Sequence, residues 1–200
     1  MKNYFKALII FIAVPVVFAS CSMVQNLKSA IAMKDCNYSY NSISNVHVGE
    51  ISASDGLSFM TLAKVANLLG NASTTLPVSM NINVNVENPN AVSAGFEKVS
   101  YKVDLDTIHI TSGVLTEAFS VDAGSTTILP VNLQVDLRQL ITKQNGNSIT
   151  NLAKNLLGMT TSEPSKLKLS IKPTILLGGK TTFTAPNYIP IEFYIGEKEK

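Results

Sequence analysis

Residues 82–92 read Ile-Asn-Val-Asn-Val-Glu-Asn-Pro-Asn-Ala-Val, and this stretch decides the fold. Apolar and polar side chains alternate strictly as far as Glu87. Successive side chains of a strand point to opposite faces, so a period of two makes a half-buried strand. The alternation reaches back to Val78. Val78, Met80, Ile82, Val84 and Val86 share one face, and Ser79, Asn81, Asn83 and Asn85 the other. The run stops at Asn88-Pro89-Asn90. Pro89 has no N–H to give a ladder, and it pushes Asn88 into an extended conformation. Asn90 is expected to close an Asx-type turn with its own side chain, and as an asparagine it tolerates a left-handed backbone. The triplet therefore reads as the end of a strand rather than as a working site.

Strand signals of the same kind dominate the rest of the chain. Val46, Val48 and Ile51 mark an early strand within 45–55. In 96–110, Val99, Tyr101, Val103 and Leu105 share a face, while Lys98, Lys102 and Asp104 face water. Residues 113–124 read as one strand or two short ones. Val131, Leu133, Val135 and Leu137 carry 126–137, and Leu167, Leu169, Ile171 and Ile175 carry 165–177. Residues 180–195 close the sheet, with Pro186 and Pro190 confining parts of it to an edge. About seven alternating strands predict a mostly β fold, an antiparallel immunoglobulin/fibronectin III-like β-sandwich. Strands of an all-parallel sheet would be hydrophobic on both faces, and these are not.

Two or three short helices accompany the strands. "GLSFMTLAKVANLLG" (56–70) has apolar residues at helical spacing, with Gly70 where a C-terminal cap belongs. "NSITNLAKNLLG" (147–158) places Ile149, Leu152, Ala153, Leu156 and Leu157 on one stripe. Asn147 or Ser148 is its expected N-cap, and Gly158 its end. A third helical piece is expected from Asp136 onward. No fixed-period repeat appears, which argues against a solenoid.

The N-terminus, "MKNYFKALIIFIAVPVVFASC", has a basic start at Lys2 and Lys6, an uncharged apolar stretch from Ala7 to Phe18, and small residues before Cys21. That is a secretory signal peptide over 1–20. Phe18-Ala19-Ser20-Cys21 resembles a bacterial lipobox, although Phe18 departs from the usual Leu or Val. Lipidation of Cys21 by acyl chains such as palmitate is the expectation. Several chains at ~0.8 kcal/mol per buried CH₂ would hold the protein to a membrane durably. The competing readings are ordinary cleavage near the same place and a Cys21–Cys36 disulfide. Residues 21–35 would then be a tether, and 36–196 a single sandwich domain.

Charge and composition exclude several functions. The chain has 16 basic and 14 acidic residues. Lys2 and Lys6 leave with the signal peptide, and no acid does, so the mature balance is neutral. With no basic patch, nucleic acid is not an expected partner. Cys36 is expected to pack as a small hydrophobe, and two cysteines this far apart make no metal cluster. No cofactor is expected. Gly179-Lys180-Thr181 lacks both the upstream glycine and the following helix of a phosphate loop, so Gly178-Gly179 reads as a hairpin turn. His47 and His109 are each flanked by apolar strand residues and should point outward. Asp104 and Asp106 are expected on one solvated strand face. A hydrolase would need a buried histidine within reach of a serine, and no nucleophile elbow supports one. The chain is expected not to be an enzyme.

A strand, then Asn88-Pro89-Asn90, then a second strand carrying Tyr101 resembles the late embryogenesis abundant (LEA) type 2 family, which contains the water stress and hypersensitive response (WHy) domain. The quoted resemblance, "MNINVNVENPNAVSAGFEKVSYKVDLD" (80–106), is clearest over 78–137. Against it, 36–76 is an N-terminal extension and 138–160 a helical insertion. The resemblance implies an immunoglobulin-like sandwich, no catalytic residues, and association with stress tolerance. The expectation is a membrane-anchored, non-enzymatic outer-membrane lipoprotein of the bacterial cell envelope, on the periplasmic face. It would act in stress protection or as a binding module for envelope proteins or lipid. The alternative is a periplasmic carrier of lipid or another hydrophobic ligand, with the helices 56–70 and 147–158 gating an apolar cleft.

Overall fold

The computed structural model describes residue 28 and residues 32–56, 58–71, 75–142, 144–159, 163–177 and 181–196. Residues 1–20, read above as a signal peptide, Cys21, most of the expected tether 21–35 and Gly178-Gly179 lie outside them. The strands, in chain order, are β1 (Asn37–Val48), β2 (Ile51–Ser52), β3 (Pro77–Glu87), β4 (Ala94–Phe96), β5 (Lys98–Leu105), β6 (Ile108–Leu115), β7 (Phe119–Val121), β8 (Thr126–Asp136), β9 (Ser165–Leu177), β10 (Thr181–Thr184) and β11 (Ile189–Ile195). Two α-helices lie wholly within the described residues, α1 (Phe59–Gly70) and α2 (Gly146–Leu156), and residues 32–34 are helical as well.

One sheet has the order β2-β1-β3-β8. In the other, β6 pairs with β5 and β5 with β9, and the far edge of β9 pairs with both β10 and β11. β4 and β7 form a small arm. All pairings are antiparallel. The inward faces of the two sheets share one hydrophobic core, so the expected antiparallel sandwich is the architecture that forms. Val78, Met80, Ile82, Val84 and Val86 are all buried, as the alternation requires. So are Val99, Val103 and Leu105 of β5 and Leu167, Leu169 and Ile171 of β9. Each such side chain contributes about 1.5–3 kcal/mol relative to exposure.

Aromatic side chains close the two long sides of the sandwich. Tyr40 of β1 stacks on Phe193 of β11, with centroids 4.2 Å apart. On the opposite side, Tyr101 of β5 reaches across to the Asn132 carbonyl of β8 at 3.3 Å. Tyr101 lies cross-strand from Gly113. A Cβ at Gly113 would come within 2.6 Å of the Tyr101 hydroxyl. The glycine is what lets the ring lie flat over β6.

Pro173 falls in β9, which has partners on both edges, where a missing N–H should be costly. The Pro173 carbonyl accepts from Ala185 N at 2.9 Å. The N–H and C=O positions of one strand residue point to the same side. The proline nitrogen therefore faces the gap between β10 and β11, where the edge strand is interrupted. Ala185-Pro186-Asn187-Tyr188 is that interruption, and Pro190 lies in the edge strand β11.

Several expectations need correcting. The early strand begins at Asn37, well before 45, and lies between β2 and β3. Its register shifts after Tyr40 and after Ser44 break the period of two. Ala32 and Met33, within the stretch 21–35 read as a tether, are 3% and 2% exposed and belong to the core. α1 starts at Phe59, capped by Ser58 Oγ on Thr61 N at 3.1 Å. Gly70 is its last residue rather than its cap, which is Asn71. The helical piece after Asp136 is a single 3₁₀ turn over Leu137–Leu140. α2 starts one residue before Asn147, and neither Asn147 nor Ser148 caps it. The cap position is Asn145, whose side chain is engaged by Thr142 N and Leu140 O. Gly158 ends α2 as expected. Its φ is +72°, and the paired bonds Met159 N to Lys154 O and Gly158 N to Asn155 O make a Schellman motif.

Candidate functional site: the Asn-Pro-Asn corner

β3 delivers Asn88 into a fully buried position at the end of the sandwich. A buried amide without partners costs about 1–3 kcal/mol per group, so its bonding should be complete. It is. Asn88 Nδ2 donates to the carbonyls of Val92, Val121 and Asp122 at 2.9, 3.2 and 3.1 Å. Asn88 Oδ1 accepts from Asn90 N at 3.1 Å and Asn90 Nδ2 at 2.8 Å. Its backbone N–H donates to Ser125 O. One side chain thus joins the end of β3, the following loop and the β4–β7 arm.

The Asx turn is therefore made by Asn88, not by Asn90 as the sequence suggested. Among the described residues, positive φ occurs at Asn45, Asp106 and five glycines, and not at Asn90. Its side chain points the other way, and Nδ2 donates to Ala32 O at 2.9 Å. That carbonyl also accepts from Cys36 Sγ at 3.4 Å and Asp35 N at 3.1 Å. Tyr38 Oη holds the next carbonyl, Met33 O, at 2.9 Å. The triplet thereby fastens residues 32–36 to the corner. Burial, and then the neighbouring Asp35 charge, pushes the Cys36 thiol up to about 11, so it is neutral at physiological pH. Burial, followed by the adjacent Cys36, likewise raises the Tyr38 hydroxyl.

Beside the fastened segment lies an apolar cavity of about 370 Å³. Met33 and Lys34 line one side of it. Pro173 and Ile175 of β9, Phe183 of β10 and the start of β11 line the others. It opens where the edge strand is interrupted. A second cavity, about 490 Å³, lies beside α1 and carries Glu50, Lys64, Asn67 and Thr75 on its walls. Neither matches the helix-gated apolar cleft that the carrier alternative required. Ile149, Leu152, Ala153, Leu156 and Leu157 are all at most 5% exposed, so α2 is packed shut. The space beside α1 is partly polar.

The remaining sequence candidates do not converge. His47 and His109 are exposed. His109 Nδ1 lies 2.9 Å from Asp104 Oδ1, and Lys168 Nζ is 3.9 Å from the other carboxylate oxygen. Asp106 does not share the face of Asp104. It sits in the β5–β6 turn with φ +51°. Among the described residues no group of three or more His, Cys, Asp and Glu is placed to hold a metal, and no helix is long and apolar enough to cross a membrane. What sequence reasoning missed is the partnership between Asn90 and Ala32. Nothing in local spacing signals a bond spanning 58 residues.

The fold defines a mostly β, antiparallel sandwich, with the side chains of Asn88 and Asn90 hydrogen-bonded into one of its corners. A model of the late embryogenesis abundant protein family, LEA type 2, matches residues 83–187. The match spans the triplet, Tyr101 and most of the second sheet, and the chain belongs to that family. Among solved structures it is similar to a protein of Archaeoglobus fulgidus, with 14% identity, coverage of 80% of this chain and 99% of that one, and a TM-score of 0.36. It is also similar to a protein of Arabidopsis thaliana with 18% identity, coverage of 64% and 77%, and a TM-score of 0.42. A third, assigned to the late embryogenesis abundant (LEA) group, has 18% identity, coverage of 90% and 88%, and a TM-score of 0.41. No curated protein matches the chain.

Proposed function

We infer that this chain is a non-enzymatic envelope protein, anchored by a lipid on Cys21, that presents its sandwich domain as a stress-protective binding module. The family match over 83–187 carries the non-enzymatic, LEA-like part of this reading. The WHy assignment rests on the spacing from Asn88-Pro89-Asn90 to Tyr101. The anchor rests on Phe18-Ala19-Ser20-Cys21 behind an apolar leader. Ser22 at the second mature position, with no acidic residue there, favours the outer membrane, and the periplasmic face is the side assigned.

The test is envelope fractionation of the native protein with mass analysis of its N-terminal peptide. An acylated Cys21 in the outer-membrane fraction is expected. Unmodified Cys21 in a soluble fraction would contradict the anchor. Recovery of stoichiometric co-purifying envelope protein or lipid identifies what the module binds. Native complexes yielding neither would leave protection, not binding, as the role.

A further inference from the structure

We propose that the cavity at the Asn-Pro-Asn corner binds one single-chain anionic amphiphile of the fatty-carboxylate class. Its walls are apolar. Met33, Pro173 and Ile175 are buried, and Phe183 stands half-exposed at 51% at the opening. Lys34 is the one charged residue among the described residues that line it. A volume of about 370 Å³ lies at the small end of the ~300–1,000 Å³ typical of ligand sites, which suits one alkyl chain better than a two-chain lipid.

The chemistry follows from that lining. An alkyl chain would replace water against Met33, Ile175, Phe183 and Ile189, and each CH₂ so buried favours binding. A carboxylate head would sit at the rim against the Lys34 ammonium. Asp35 follows Lys34 in sequence but does not line the cavity. The site is also held in shape before anything enters. Asn90 and Tyr38 fix the carbonyls of Ala32 and Met33, and the Thr174 and Thr184 hydroxyls, 3.0 Å apart, join β9 to β10 beside it. Preorganisation of this kind lowers the ordering cost of binding. The break at 185–188, forced by Pro173 and Pro186, leaves the entrance open. Two other cavities among the described residues suit such a ligand less well. The one beside α1 carries both Glu50 and Lys64, and one of about 200 Å³ between β6 and β8 carries Glu117.

This assignment stands whether or not Cys21 is acylated, and the test separates the two. The full chain in phosphatidylcholine vesicles is irradiated with a diazirine-bearing palmitate, and adducts are mapped by peptide mass spectrometry. Adducts are expected on Met33, on Ile175 and on Phe183, Ala185 and Ile189, suppressed by unlabelled palmitate. Phe183→Ser should lower their yield about tenfold. Lys34→Gln should lower the palmitate yield severalfold and leave that of the matching fatty alcohol unchanged. Both replaced residues are exposed, and an unchanged melting temperature checks that each variant folds. Adducts spread along Phe59–Leu62 or evenly over the chain would overturn the site. Equal effects of Lys34→Gln on acid and alcohol would overturn the carboxylate head. A diazirine phosphatidylcholine labelling the cavity better than palmitate would overturn the single-chain assignment. Labelling seen only in Cys21→Ser would give the cavity to the protein's own acyl chain instead.

Discussion

The two ends of the sandwich are built on opposite logic. At the Asn-Pro-Asn end, Asn88 is buried with both groups of its side-chain amide engaged, and the half-buried Asn90 is bonded beside it. Asn88 alone joins three segments, and Asn90 fastens a fourth. At the other end, α1 rests on buried Val65 and half-buried Leu68 and Leu69. Arg138 Nη2 holds the Leu68 carbonyl at 2.6 Å near the C-terminus of the helix, where a cation is favoured. Phe59, Met60 and Leu62 of the same helix are 88%, 70% and 40% exposed. Burial without hydrogen bonds can be shared among many substitutable residues. Burial with them makes single residues indispensable. The corner is therefore the brittle end and α1 the tolerant one.

Substitutions sharpen that contrast. Asn88→Ala should have the largest effect, about 3–5 kcal/mol by urea unfolding, because it strands several buried backbone groups at once. Leu152→Ala in α2 should cost about 3 kcal/mol through the cavity it leaves. That places α2 with the corner and apart from α1. Asn90→Ala should cost about 1 kcal/mol and expose Cys36 to alkylation, read by thiol labelling at pH 8. At the other end, Phe59→Ser should shift stability by no more than about 0.5 kcal/mol. If Phe59→Ser instead costs as much as Leu152→Ala, the contrast between the ends fails.

The corner also has a pH signature. The Cys36 thiol is raised from 9.0 to about 11 in the folded protein. The folded state thus retains a proton that the unfolded chain releases from pH 9 upward. Stability is fully present below pH 9 and falls as pH rises toward 11. Burial raises Tyr38, Tyr40 and Tyr101 too, so they deepen the loss from about pH 10. Cys36→Ala should remove the part that begins at 9, measured by melting temperature across that range. The exposed Lys166–Glu192 pair, 2.7 Å apart, should matter least. Each partner holds the other in its charged form, yet exposed pairs contribute little, and Glu192→Gln should leave the unfolding midpoint unchanged.

Strands with a clean period of two were legible in the sequence, because burial on one face leaves that pattern. β3, β5 and β9 are of this kind. β1 was only half legible. Its bulges move residues from one face to the other, and its polar run Asn37-Tyr38-Ser39-Tyr40-Asn41-Ser42 resembles a loop in composition. α1 and α2 both showed helical spacing, but spacing does not say how much partner surface a helix will meet. The triplet was legible as a strand end. Its network was not, since the partners of Asn88 and Asn90 are mostly backbone carbonyls, which every residue carries. The apolar cavity was invisible for a related reason. Its walls come from residues 33–34, 173–175 and 183–189, brought together only by the break in the edge strand.

Native-state hydrogen exchange tests the architectural reading of the triplet most directly. Amides held by the corner, those of Asn88, Asn90 and Ser125, should exchange only through global unfolding, with opening free energies that track urea concentration as the whole molecule does. Amides of Leu62 to Asn71 in α1 should exchange sooner, through local opening insensitive to urea. The reverse pattern, with the corner opening locally while α1 stays protected to the global limit, would contradict the account.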